Sequence, residues 1–234
     1  MAADTQSLES TNTTSKGFAL TSAFWMMIAT FYGLLGATEL VAPDLTENMG
    51  GIVFGRVRPT HINLVLFGFV TPGLLSAAFY FIPRLLRTRL FSERLGVFTV
   101  AAWNIALVGT VASLAAGFTQ GREYAELIWP IDVMVVAAFG LIFYNFIMTV
   151  KHRQEPILYV SVWYVLAGTI LTACTFALGN VIWKPDTGAL VGIPDAILLW
   201  FYGHNVFGLL LTPLSAAVAY YVIPRACRAP LYSH

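Results

Sequence analysis

A neutral imidazole is the commonest protein ligand for a transition metal, and the 234-residue sequence contains four histidines. They divide by setting. His152 sits in Lys151-His152-Arg153 and His234 is the last residue, both polar surroundings that suit a solvated side chain. His61 instead opens an apolar stretch in Arg58-Pro59-Thr60-His61-Ile62-Asn63. His204 lies in Trp200-Phe201-Tyr202-Gly203-His204-Asn205, nine residues past Asp195, which is about 14 Å along a helix rising 1.5 Å per residue. At that depth an ionisable side chain needs a partner, so a functional role is its first reading. Each has a plainer alternative: an interfacial histidine bonded to a loop carbonyl for His61, and an isolated satisfied imidazole for His204. Cys174 and Cys227 are far apart and form no Cys-x-x-Cys motif, so cysteine-based metal or haem attachment is set aside.

The elements that position these histidines follow from composition. Of the residues, 58% are apolar and 11% charged, against about 25% charged in a soluble domain. That excludes a water-soluble globule. A formal charge of +1 leaves no basic excess for nucleic acid. Six stretches, roughly 18–40, 61–82, 95–118, 129–150, 158–183 and 195–224, match the ~20 apolar residues that a bilayer-spanning helix needs. The fold class is therefore all-α integral membrane, one six-helix domain over 18–224, with polar cytoplasmic tails at 1–17 and 225–234. The first stretch lacks a small-residue cleavage signal and reads as a retained helix. Lys16, Arg84, Arg87, Arg89, Arg94, Lys151, Arg153, Arg225 and Arg228 all fall on one side of the spans, and Arg56, Arg58, Arg122 and Lys184 on the other. By the positive-inside rule both termini face the cytoplasm.

The chain also repeats itself. Thr71-Pro72 through Ile82-Pro83-Arg84 aligns without gaps to Thr212-Pro213 through Ile223-Pro224-Arg225, with the Thr-Pro, a tyrosine and the Ile-Pro-Arg matched. Helices two and six thus read as related units. Each brings in one imidazole ahead of its Thr-Pro.

These residues carry a family resemblance. The run Trp200-Phe201-Tyr202-Gly203-His204-Asn205 with Thr212 and Tyr220-Tyr221, and Arg56-Val57-Arg58-Pro59-Thr60-His61-Ile62-Asn63, resemble subunit I of haem-copper oxidases, most closely the cbb3-type (C-family) enzymes. Gly121-Arg122-Glu123-Tyr124-Ala125-Glu126 ahead of Trp129-Pro130-Ile131-Asp132, and Tyr159-Val160-Ser161-Val162-Trp163-Tyr164, match connections and helices of that subunit. The resemblance implies that His61 is an axial ligand of a low-spin haem b. It implies that His204 is one of three ligands of the active-site copper, and so catalytic. Arg56 and Arg58 would lie near haem propionates, since arginine pairs well with carboxylates. Glu123 and Glu126 would lie near the propionates or a calcium ion on the external side, with solvated loop acids as the plain alternative.

Subunits of that family have about twelve helices, and their later helices bring a His-His pair for copper and a His-x-His for both haem irons. Neither motif occurs in this sequence. The expectation is an amino-terminal half, truncated or naturally split after Pro230-Leu231-Tyr232-Ser233-His234. The carboxy-terminal half would complete the low-spin haem, the high-spin haem and the copper, and the chain by itself would be inactive.

The function implied is a respiratory terminal oxidase of the bacterial cytoplasmic membrane. It would take electrons from cytochrome c type subunits or a donor, reduce oxygen to water and couple this to proton translocation. Nitric oxide reductase shares the scaffold but carries glutamates near the sixth-helix histidine, and residues 196–223 contain none. A cytochrome b anchor needs histidines paired between helices. A transporter would fit the repeat and the prolines, but helices two and six run parallel, not inverted. Interhelical hydrogen bonding accounts for most of the polar residues within spans, Glu39, Asn104, Asp132, Asn145 and Asn180. Tyr202 lies about 200° around the helix from His204 and is not equated with the cross-linked tyrosine of the family.

Overall fold

The structure, a computed structural model, describes residues 12–46 and 49–229. Among these residues six helices are long and apolar enough to cross a membrane: α1 (Thr13–Val41), α2 (Phe54–Leu85), α3 (Glu93–Ala116), α4 (Trp129–Lys151), α5 (Val160–Gly179) and α6 (Ile193–Cys227). Among the described residues there is no strand, and the one isolated antiparallel bridge pairs Arg122 with Ala125. The architecture is the all-helical, six-span arrangement that the hydropathy pattern requires.

Helix ends are set by local chemistry. Ser92 caps α3 by accepting from the Leu95 amide at 3.1 Å, and Gly117 ends that helix in the left-handed region at φ 86°. Pro130 and Pro194 sit in the first turns of α4 and α6, where a missing N–H costs no helical bond. The helices also outrun the apolar stretches. α1 begins inside the expected polar tail because the Glu93 carboxylate takes the Thr14 amide at 2.9 Å and its hydroxyl at 2.6 Å. Residues 1–11 and 230–234, with His234, lie outside the described residues.

α1 packs along α2 and α3, α3 along α4, α4 along α5, and α5 along α6, which returns to touch α2. The most apolar windows of α2 and α5 are 56% buried, those of α1 and α6 only 28%. α2 and α5 are therefore the inner helices. One aromatic stack joins Phe18, Phe79 and Phe146, with Trp103 edge-on to Phe18 and Phe139. A second runs from Phe67 through Phe176 to Tyr202. Large apolar side chains stay exposed on α1 (Leu20, Phe24, Met27, Phe31) and α6 (Ile197, Trp200, Phe201, Phe207), as befits helices facing lipid or further helices.

The repeat has a structural counterpart that its sequence did not announce. In α2 the segment Leu64–Val70 is π-helical, and in α6 so is Val206–Leu211. Each ends at the repeated Thr-Pro. Proline lacks an amide and its ring presses on the carbonyl four residues back, so a wider turn ahead of it relieves both faults. Carbonyls freed this way are taken by side chains. Trp103 Nε1 donates to Phe67 O and Ser22 Oγ to Phe69 O, both at 2.8 Å, while Thr172 Oγ1 reaches Leu209 O at 3.5 Å.

Candidate metal centre

His61 lies three residues before the π segment of α2, half-buried against α1. Its Nδ1 is 2.8 Å from the Ala29 carbonyl. A carbonyl only accepts, so Nδ1 is the donor, and in the neutral tautomer this leaves Nε2 with the lone pair. A hydrogen bond from the far nitrogen to a carbonyl fixes the tautomer and orientation of a metal-binding imidazole and raises its basicity. One turn along α1, Gly33 makes room for the ring: a Cβ there would stand 2.8 Å from His61 Cε1 and 2.9 Å from Nδ1. The partner is thus a carbonyl of a neighbouring helix, not of a loop. An imidazole held by one nitrogen with the other free suits an axial iron ligand.

His204 departs from the expected burial. Depth along α6 is as expected, but its side chain is exposed, whereas Tyr202 is fully buried. The physical reason is rotation: two residues turn the helix by about 200°, so Tyr202 faces α5 and His204 faces outward. Among the described residues no hydrogen-bond partner reaches His204. Four residues on, Gly208 has no side chain to cover the ring, whose Nε2 would be 3.8 Å from a Cβ there. An imidazole at bilayer depth with no partner inside the bundle suits a ligand whose metal is completed from outside this set of helices.

The remaining candidates are engaged locally. Arg56 Nη1 donates to Ala115 O at 2.8 Å, capping the carboxy-terminal end of α3, with the guanidinium over Gly117. Arg58 is ion-paired to Glu123 at 2.5 Å with both side chains partly exposed. Glu126 is buried and accepts from Asn63 Nδ2 at 3.0 Å. Burial pushes its carboxyl above the usual range, partly offset by the Asn63 hydrogen bond. Glu123 and Glu126 thus have separate partners, and among the described residues no three His, Cys, Asp or Glu gather as a metal cluster. His152 stays at the surface, its Nδ1 2.7 Å from Met148 O.

Sequence reasoning read 121–126 as a connection but missed the role of Arg122 in it. Arg122 is buried there, with Nε donating to Asp195 Oδ2 at 3.2 Å, Nη2 2.9 Å from Asp195 Oδ1, and Nη1 donating to Gly179 O at 2.6 Å and Gly188 O at 2.8 Å. Tyr202 donates to Tyr124 O at 2.8 Å. The available signal was Gly121 before Arg122 and an acid just after Pro194, too little to pair them.

Comparison with known proteins follows the same lines. The family model described as "Cytochrome C and Quinol oxidase polypeptide I" matches residues 13–234. The chain is 32% identical over 225 residues to the cbb3-type cytochrome c oxidase subunit CcoN1 of Stutzerimonas stutzeri, covering 93% of this chain and 47% of that protein. It is 31% identical to cytochrome c oxidase subunit 1 of Rhodobacter capsulatus, covering 92% of this chain and 42% of the relative. A bacteroid cytochrome c oxidase subunit 1 homolog of Bradyrhizobium diazoefficiens is 33% identical, with 90% and 40% covered. The chain spans less than half the length of these curated relatives. A helical, six-span chain matched by that family model over nearly all its length belongs to the cytochrome c and quinol oxidase polypeptide I family.

Proposed function

We propose that this chain is part of the catalytic subunit of a cbb3-type respiratory oxidase. In it electrons pass through a low-spin haem b to a haem-copper centre that reduces oxygen to water, with coupled proton translocation. The observation that carries the reading is the His61 imidazole, bonded through Nδ1 to Ala29 O, with no partner at Nε2 among the described residues.

His61 would hold the low-spin haem iron and His204 the copper, each as a neutral imidazole. The metals supply the redox chemistry that no side chain here performs. The chain's own contribution is orientation. The Ala29 carbonyl and the space at Gly33 fix the His61 ring. Tyr202, buried on the opposite face of α6, turns His204 outward. Arg56 and Arg58, near the start of α2, would pair with haem propionates, each having N–H groups beyond those used by Ala115 O and Glu123. Glu123 and Glu126 supply oxygen donors of the type calcium takes. A cytochrome c type donor would fit the relatives' printed name, cytochrome c oxidase, and the Lys and Arg bias of the loops supports both termini inside a bacterial cytoplasmic membrane. A carboxy-terminal half would bring the remaining ligands and the high-spin haem.

Optical and metal analysis of the purified complex tests this reading. The reduced-minus-oxidised spectrum is expected to show a six-coordinate haem b, and metal analysis to show copper. Non-haem iron in place of copper would assign a nitric oxide reductase, haem alone a cytochrome b anchor, and no cofactor a transporter. Each of these would overturn the oxidase reading.

A further inference from the structure

The loop between α3 and α4 touches both histidine-bearing helices. Its turn is built for a fixed shape: Gly121 and Tyr124 adopt left-handed backbone (φ 69° and 62°), and the Ala125 amide donates to Arg122 O at 2.9 Å. A side chain rarely takes that conformation unless its surroundings hold it there. Here it turns the Tyr124 carbonyl toward α6, where the Tyr202 hydroxyl donates to it. Two residues earlier, Arg122 forks onto Asp195 at the start of α6 and gives its other nitrogen to Gly179 O, at the end of α5, and to Gly188 O. Asp195 also accepts from the Leu190 amide at 2.7 Å. Two residues later, Glu126 holds Asn63, which follows His61 by two positions on α2.

Asp195 and Tyr202 are seven residues apart, which is two turns of one helix face, about 10 Å. Anchoring one face at two levels fixes both the axial position and the rotation of α6. His204 is two residues past the upper anchor, on the opposite face. Gly179 allows the close approach this needs, since a Cβ there would overlap the Tyr202 side chain. We propose that Arg122, Asp195 and Tyr202, through the 121–126 turn, are positioning residues that set where the His204 imidazole points. This rests on the reading of His204 as a copper ligand, and it adds residues that touch no metal.

Tyr202→Phe in the assembled oxidase is the direct test, because it deletes one hydroxyl and leaves the ring packed on Phe176. Copper should remain bound, but the X-ray absorption of the copper should show a lengthened or weakened imidazole contribution. A geometric error at a reacting centre lowers the rate more than the binding, so kcat should fall by about tenfold with KM for oxygen nearly unchanged. The low-spin haem spectrum should stay as in the parent. Arg122→Lys keeps the charge but loses the planar fork and should give the same copper signature wherever it assembles; Tyr202→Phe decides if it does not. An unaltered copper signature with parental turnover in Tyr202→Phe would overturn the proposal. So would a low-spin haem change as large as the copper change, which marks a general structural role. Full copper content in His204→Ala would instead sink the ligand assignment beneath it, so the two failures are distinguishable.

Discussion

His204→Ala in the assembled complex is expected to empty the copper site and stop oxygen reduction, with the low-spin haem at His61 left in place. The imidazole lies within the sixth candidate span, exposed on the six-helix unit and without a hydrogen-bond partner among the described residues. A polar ring left unpaired in hydrocarbon costs roughly 1–3 kcal/mol or more, so the position is poor for stability unless something binds there. Removing an outer partner of a metal ligand typically costs about 10–100-fold in affinity, and removing the ligand itself should cost more. Copper measured by elemental analysis should fall well below one per complex. Unchanged copper in this variant would leave His204 a structural residue.

His61→Ala should abolish the six-coordinate haem b spectrum while copper content persists. Replacement takes away the nitrogen that the Ala29 carbonyl leaves free. A second variant separates the ligand from the helix that carries it. Gly33→Val puts methyl groups where a Cβ alone would stand 2.8 Å from the ring, displacing the imidazole with its own residue unchanged. It should therefore also lose or shift the low-spin band. Survival of the parental spectrum in His61→Ala would contradict the assignment outright.

The six spans were legible because each needs only a local run of apolar residues, and local composition is what hydropathy reads. Their ends were less so. Thr13 to Lys16 look like a polar tail, yet Glu93, far along the chain, draws Thr14 into α1. The repeat of Thr-Pro and Ile-Pro-Arg was visible, but the π-helical turns before each Thr-Pro were not, since a proline within a span permits several local outcomes. Which one forms depends on distant donors such as Trp103, Ser22 and Thr172. For His204 the count of residues from Asp195 gave its place along α6 but not its facing. Facing depends on which neighbour packs where, and here Tyr202 takes the interior against Phe176. The 121–126 turn was read as a connection bearing acids. Its use as a strut rests on Arg122 meeting Asp195 and Gly179, 73 and 57 positions away, pairings that no local pattern encodes.

The central claim is that this chain brings one iron-binding and one copper-binding imidazole to metals completed by other helices. The most direct measurement compares the 234-residue chain purified by itself with the same chain co-expressed with a polypeptide carrying His-His and His-x-His motifs, by reduced-minus-oxidised spectrum and oxygen uptake. The account predicts neither a six-coordinate haem signal nor oxygen uptake from the chain by itself, and both from the co-expressed pair. Oxygen reduction by the chain with no other polypeptide present would contradict it.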